Sequence, residues 1–311
     1  MSGIGIIFNP HSRSNRKHPQ RAERLGFIVG DKGSCHATQK PEDVEGLAHH
    51  FKERQIEVLG ISGGDGTIHT ALTTFLKVYG ETPLPQIALL RGGTMNNTAT
   101  NLGIYGTPED ILSKLILNYH TGSFKTTPLS LLEVNGRYGF VFGMGVVTRF
   151  LQEFEERNRG HVSPGKAAVL LAQYMLASIC NTDAAKKMCE HVSMKVTVNG
   201  EVLPFPDYVM LFAGSVESLC FQFRPMWRAR ERSGQFHFMG ISSTPRQLLS
   251  VFPRAWFKLP IKKPFVIDRV GQEMTLECEN PEWYTIDGEF PEPPVKQIKL
   301  NVGPTIQVVL L

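Results

Sequence analysis

The run Ile56–Ile61 stops at Ser62-Gly63-Gly64-Asp65-Gly66-Thr67, and Ile68–Val78 then carries its apolar residues at helical spacing. A buried strand that passes through a glycine turn into a helix constrains this chain more than any other stretch. Glycine lets the backbone turn sharply and approach another group closely. The helix that follows aims its unpaired N-terminal amides at the turn, which suits an anion such as phosphate. Asp65 sets a carboxylate in that position, which is electrostatically costly unless a cation such as Mg2+ intervenes, so the loop implies a metal–nucleotide complex. A plain strand-to-helix turn with an aspartate cap is the simpler account of any single loop of this kind.

The pattern recurs on both sides. Gly5–Phe8 ends at Asn9-Pro10-His11-Ser12, and Ile87–Leu90 ends at a second glycine loop, Gly92-Gly93-Thr94-Met95-Asn96-Asn97. Thr94 and Asn96 carry groups able to donate to phosphate or ribose oxygens. Helical spacing fills Pro41–Arg54 and Thr107–Leu117, the latter opening with the good helix start Thr107-Pro108-Glu109-Asp110. Strands alternating with helices imply a doubly wound parallel sheet, in which loops at the C-terminal strand ends converge on one crevice. After Pro128 short alternating segments take over, broken by Asn135-Gly136 and Asn199-Gly200, which are strong hairpin signals, and by one helix over Gly165–Asn181. The expected fold is an α/β nucleotide-binding domain over residues 1–127 and a mainly antiparallel, β-sandwich-like domain over residues 128–311.

With 33 Lys and Arg against 29 Asp and Glu, the net charge of +4 suits a nucleotide or an acidic membrane but is far too weak for nucleic acid. Five scattered cysteines without a CxxC pair read as reduced thiols, which places the chain in the cytoplasm. Met1–Asn9 is not expected to be a signal peptide, and Ala167–Cys180 is too short to span a bilayer. Membrane contact would then be peripheral. Two segments mix aromatics with cations as such contact requires: Phe221–Arg232, with Trp227, Arg228, Arg230 and Arg232, and Pro253–Phe265, with Trp256, Phe257, Lys258, Lys262 and Lys263. A solvated basic face is the bland alternative. The sequence leaves a homodimer open.

Other candidates are weaker. Asp287-Gly288-Glu289 is either a surface turn or, since phosphoryl transfer to an alcohol benefits from a carboxylate that receives the hydroxyl proton, the place of a general base, Glu289. Gly160–Ala167 has the spacing of a phosphate loop but lacks the closing Ser or Thr, and the charged run Gln152–Arg159 precedes it where a buried strand belongs. Gly143-Met144-Gly145 reads as a strand bend. His69 is expected to be solvated, and no histidine pair has zinc spacing.

Taken in order, these motifs resemble the diacylglycerol kinase and sphingosine kinase superfamily over essentially the whole chain. Ile6–Ser12 is similar to its opening strand and NPxS turn. Thr38–Asp43 resembles its Thr-x-x-Pro-x-Asp segment, Gly63–Thr67 its GGDGT motif, Gly93–Asn96 its GTxN loop and Asp287–Glu289 its late DGE motif. The resemblance implies an ATP-dependent lipid kinase. Asn9, Thr38, Gly63, Gly64, Asp65, Gly66, Thr67, Thr94 and Asn96 would hold ATP and its Mg2+, and Asp65 and Glu289 would be catalytic, Glu289 as base for a lipid hydroxyl. A NAD kinase shares the GGDGT loop and stays open, as does a catalytically silent lipid- or nucleotide-binding protein. His69 and Thr70 stand where the family has Asn and Glu, and Arg91 and Asn97 where it has Pro and Asp. With Asn97 there, and Ser233–His237 at a second-domain stretch where relatives carry acids, no auxiliary structural Mg2+ site is expected.

Overall fold

The computed structural model describes residues 3–311 other than 94–95, 124, 159–162, 218–222, 230, 232–233, 258 and 292. They form two compact units, one of Met1–Leu129 with Thr305–Leu311, the other of Ser130–Pro304. The elements of the first are β1 (Ile4–Phe8), α1 (Arg13–Arg16), α2 (Arg21–Val29), β2 (Gly33–Ala37), α3 (Asp43–Glu53), β3 (Val58–Ser62), α4 (Asp65–Tyr79), β4 (Gln86–Leu89), α5 (Asn97–Asn101) and α6 (Pro108–Thr121).

Strand order in this unit is β2-β1-β3-β4, all parallel, and Val308 of the C-terminal strand pairs in parallel with Ile87 of β4. Every residue of β1 and β3 is buried, as strands covered by helices on both faces require. The chain leaves β1 toward β2 and then returns past β1 to β3. Right-handed crossovers made in opposite directions put α2 on one face and α3 on the other. Accordingly α2 packs on α6, and α3 on α4. The reversal falls between β1 and β3, which makes the exits of these two strands the natural ligand crevice. The start of α6 is a full capping box between Thr107 and Asp110.

The chain continues with β5 (Lys125–Val134), β6 (Arg137–Gly139), β7 (Val141–Gly145), α7 (Val146–Asn158), α8 (Pro164–Ile179), α9 (Asp183–Met188), β8 (Val192–Val198), β9 (Glu201–Val202), β10 (Asp207–Tyr208), β11 (Met210–Gly214), β12 (Phe236–Ile241), α10 (Pro245–Leu249), α11 (Phe252–Trp256), β13 (Val266–Gly271), β14 (Glu273–Glu282), β15 (Tyr284–Ile286) and β16 (Val295–Leu310). One antiparallel sheet runs β13-β12-β11-β7-β15, and β10, β8, β14 and the first part of β16 pair in that order in another. Phe142, Leu211 and Phe236 of the first sheet share a core with Val196, Leu276 and Ile298 of the second. Alternate residues of β11, Met210 and Phe212, enter a separate core with Met226, Leu248 and Ala255. Strand β11 is therefore buried on both faces, and α10 and α11 cover its outer one. Asn135-Gly136 and Asn199-Gly200 both have positive φ at each residue, the two-residue turn their sequence demands.

Several expectations need revision. Residues 128–311 do not stay together, since Thr305–Leu311 joins the first unit by pairing beside β4. A single long alternating strand serves both units, so its pattern carries no boundary signal. The described part of the charged run, residues 152–158, is the outer part of α7, a helix that the sequence did not announce. A helix thus stands where a phosphate loop would need a strand. Gly160, His161 and Val162 lie outside the described residues, while Ser163 caps α8 by accepting from the Lys166 amide. Burial pushes the thiols of Cys35, Cys189 and Cys278 up to about 11, so they remain protonated and unreactive.

Gly145 is a strand bend that only glycine makes easily. Its φ is +73°, and a Cβ there would lie 2.2 Å from the Val209 carbonyl oxygen. Gly145→Ala should cost about 2–4 kcal/mol in denaturant unfolding, combining left-handed strain with a backbone clash. Gly165→Ala, on α8 with nothing within 4 Å of the added carbon, should be neutral or stabilising in the same measurement.

Candidate active site

The exits of β1, β3 and β4 are tied into one cluster by short polar side chains. The Asn9 amide donates to the Ser62 carbonyl at 2.9 Å. Asn9 Oδ1 accepts from the His11 amide at 2.9 Å, an Asx turn, and Nδ2 donates to Thr67 Oγ1 at 2.8 Å. Ser12 Oγ lies 2.9 Å from the carbonyl oxygens of both Asn9 and Gly92. Asn15 is buried, and its Nδ2 reaches the Asn9 carbonyl (2.9 Å), the Ser62 carbonyl (3.0 Å) and Ser62 Oγ (3.2 Å). Arg21 donates to Asn15 Oδ1 and is itself held by Glu109 at 2.9 Å. The strand ends share backbone bonds such as Asn9 to Ser62, and these side chains add further partners where the backbones leave the ladder.

Glycine is required where the loops touch. A Cβ on Gly63 would lie 2.3 Å from Thr67 Cβ, one on Gly93 would lie 2.3 Å from Gly64 Cα, and one on Gly92 would lie 2.6 Å from Asn15 Nδ2. The two glycine loops therefore meet backbone to backbone. Helix α4 starts at Asp65, with Gly66 and Thr67 in its first turn, after an extended Gly64, and no side chain caps it. The amides of its first turn have no intrahelical partners and carry the positive end of the helix dipole. A strand end, a close glycine pair and an uncapped helix N-terminus make a cradle for phosphate oxygens.

Asp65 does not point idly into that cradle. Its carboxylate accepts from the Asn97 amide (3.0 Å), the Thr98 amide (3.2 Å) and Thr98 Oγ1 (3.3 Å), so it caps α5 and fixes the second glycine loop against the first. Asn96, in the left-handed region, closes on Gly93, accepting from its amide at 3.0 Å and donating to its carbonyl at 3.2 Å. Thr38 is buried with Oγ1 3.4 Å from the Phe8 carbonyl. These three residues hold the loops in shape. Thr94 lies outside the described residues. His69 is buried rather than solvated, one of a run of buried residues on α4. Arg91, with φ +41°, donates to the Ile104 carbonyl at 2.6 Å and lies over the Tyr105 ring.

In the second unit Asp287-Gly288 is a two-residue turn, with φ of +53° and +93°, between Ile286 and Glu289. The Asp287 carboxylate accepts from the amides of Phe140 and Val141 at 2.9–3.1 Å and fastens this hairpin to the start of β7. Glu289 pairs through its backbone with Ile286, and its side chain is exposed at the tip. His237, the described residue of the stretch 233–237 that could supply a metal ligand, is fully buried with Nε2 2.6 Å from Asp268 Oδ1; Ser233 lies outside the described residues.

Residues 4–126 match the family model of the diacylglycerol kinase catalytic domain. This stretch of the chain is thus similar to the catalytic domain of the diacylglycerol kinases. The chain is similar to a diacylglycerol kinase of Bacillus subtilis (strain 168), 29% identical over 143 residues, and the match spans only 44% of that relative's length and 44% of this chain. Two structures of putative diacylglycerol kinases from Bacillus anthracis str. Sterne share the fold, with TM-scores of 0.72 and 0.71 at 18% identity, covering 100% of this chain and 97% of theirs. Beside Ser12 of the NPxS turn, Asn15, a residue absent from the recognised motifs, organises the loops. A buried Asn in a polar stretch carries no periodic signal, so sequence reasoning passed over Asn15.

Asn15→Ala should take one donor from each of the Asn9 and Ser62 carbonyls, which keep Ser12 Oγ and the Asn9 amide, leave Arg21 without its Asn15 acceptor and destabilise the chain by about 2–3 kcal/mol. In a thermal melt that corresponds to a fall of about 5–10 °C. An unchanged midpoint would show that water replaces the side chain without loss.

Proposed function

We propose that this chain is an ATP-dependent lipid kinase that phosphorylates a hydroxyl of a membrane lipid of the diacylglycerol, sphingoid base or ceramide type. The observation that carries this proposal is the loop cluster at the reversal point of the parallel sheet, where Gly64 meets Gly93 beside the uncapped start of α4. Gly63–Thr67 would bind the triphosphate through backbone amides, with the Asn9–Thr67 hydrogen bond fixing the Thr67 hydroxyl. A single carboxylate, Asp65, stands on the first glycine loop, which fits a Mg2+ that comes with the nucleotide rather than one held by a protein cage. Bound Mg2+ supplies neutralisation of the charge on the phosphates.

Asp65 would serve twice, as the cap that sets the second loop and as the acid nearest the phosphates. Glu289 would receive the proton that the acceptor hydroxyl gives up as it becomes a phosphate ester. Its exposure at a rigid turn, fastened by Asp287, suits a group that must be presented to a substrate. Contact with the bilayer would be peripheral, since no helix among the described residues is long and apolar enough to cross a membrane.

Transfer of label from γ-labelled ATP to a panel of micellar lipids, with NAD as control acceptor, tests the proposal; label in NAD and in no lipid would overturn it. Asp65→Asn keeps one amide acceptor for α5, so the melting point should move by less than about 3 °C while transfer falls at least about tenfold. Glu289→Gln should lower turnover by ~10²–10⁴-fold with nucleotide affinity nearly unchanged. Loss of nucleotide binding in that variant would instead place Glu289 in the nucleotide site.

A further inference from the structure

Helix α8 is amphipathic in the unexpected sense. Its polar groups face its neighbour: Tyr174 bonds to Glu153 of α7, and Gln173 accepts from Arg157. Ala167 and Leu170 close a small core with Phe154 on the same side. The opposite side is apolar and wet, with Val169, Leu176 and Ile179 at 59%, 64% and 58% exposure and Ala172 exposed between them. Positions 169, 172, 176 and 179 advance by three, four and three residues, so they form one stripe along the helix, ~15 Å long. Single exposed apolar residues are ordinary, but an ordered row of them marks an interaction surface.

The stripe ends where a second apolar group begins. Arg246 of α10 donates from Nε to the Ile179 carbonyl at 3.1 Å. Only Ser250 and Val251 separate α10 from α11, and at and beyond the end of α11 Trp256, Phe257 and Leu259 are 50%, 72% and 47% exposed. From Ser243 to Ile267 the sequence contains five cations and no acid. Of the cations, Arg246, Arg254 and Lys262 are exposed, and Lys258 lies outside the described residues. Lys166 is the one charged residue of α8.

We propose that the outer stripe of α8 and the α11 tip together form a docking face for an anionic lipid bilayer. A helix lying in the interface plane buries such a stripe among the acyl boundaries, Trp sits at headgroup level, and cations meet anionic headgroups. The charge pattern disfavours a second copy of this chain as the occupant. A two-fold contact would set this face against itself, cations against cations, with no acid of 243–267 to answer them. The proposal draws only its purpose, delivery of a membrane-borne acceptor, from the lipid-kinase function. It also replaces one of the two segments singled out in the sequence. Met226 is fully buried, Phe223 packs on Phe252 and Trp227 donates to Asp268, so the apolar groups of the described part of 221–232 are engaged within the fold, and Arg228 is paired at the surface with Glu231.

Sedimentation of the full chain with phosphatidylcholine vesicles, with and without phosphatidylglycerol, tests the face at low and physiological salt. The wild type should bind the anionic vesicles, less at higher salt, and neutral vesicles weakly. Leu176→Glu/Ile179→Glu and Trp256→Ser/Phe257→Ser should each lower anionic-vesicle partitioning at least about tenfold, with unchanged circular dichroism. Transfer to a short-chain lipid in detergent micelles should stay at the wild-type level. Exposed Cys180, next to Ile179, gives a readout that needs no surface variant: a polarity-sensitive thiol dye placed there, in a Cys220→Ser background, should shift to the blue on anionic vesicles. Wild-type-like binding by both double variants, equal and salt-independent binding to both vesicle types, or an unshifted dye would overturn the proposal. So would a wild-type dimer that Leu176→Glu dissociates, which would assign the stripe to a second copy. Vesicle binding without transfer to any lipid would refute the kinase function and leave the docking face standing.

Discussion

The first unit depends on the Asn15 carboxamide. Three strand exits leave the ladder of a parallel sheet, and their carbonyl oxygens take side-chain donors in addition to the backbone amides within reach. Asn15 supplies donors to two of these exits and, through Arg21 and Glu109, links them to α6. Ser12 extends the same net to the third exit at Gly92. The glycine loops then take their shape from a fixed frame rather than from their own weak preferences. Pre-organised amides of this kind stabilise a bound anion without a reorganisation cost at the moment of binding.

Much of this frame was legible in the sequence because burial on both faces leaves an unmistakable run. Ile4–Phe8 and Val58–Ser62 lie within a residue or two of where their apolar runs predict them, and α6 starts at its predicted cap. The glycine pairs were legible too, since few other reasons place two glycines after a buried strand. What escaped was decided by tertiary contacts. Thr38, Asp65 and Asn96 stand in the loop cluster, yet their side chains are engaged by backbone groups of neighbouring loops, which no motif encodes. His69 looks solvated in sequence because a polar residue beside a glycine loop usually is. The pitch of α4 turns it inward instead.

The second unit shows the same division. The Asn-Gly hairpins follow from local backbone preference, and both formed with positive φ at each residue. Helix α7 did not announce itself, because residues 152–158 are mostly charged or polar and Phe150 and Phe154 find their partners in a small core with α8. Strand β11 faces two cores, so its sequence is apolar throughout and does not reveal that α10 and α11 cover one side. The Asp287-Gly288 turn combines the two cases. Its conformation is that of any such dipeptide, whereas the bonds from Asp287 to Phe140 and Val141 make it a rigid mount for Glu289.

The contact of Gly64 with Gly93 also bears on motion. No methyl group fits between the two loops, so neither has slack of its own. Asp65 and α5 join them again on the far side. Local opening of one loop must therefore carry the other with it, and the two behave as a single cooperative unit rather than as independent flaps. Such a pair exchanges its amides with solvent in one event, on one timescale, and ligand capture at either loop slows the breathing of both.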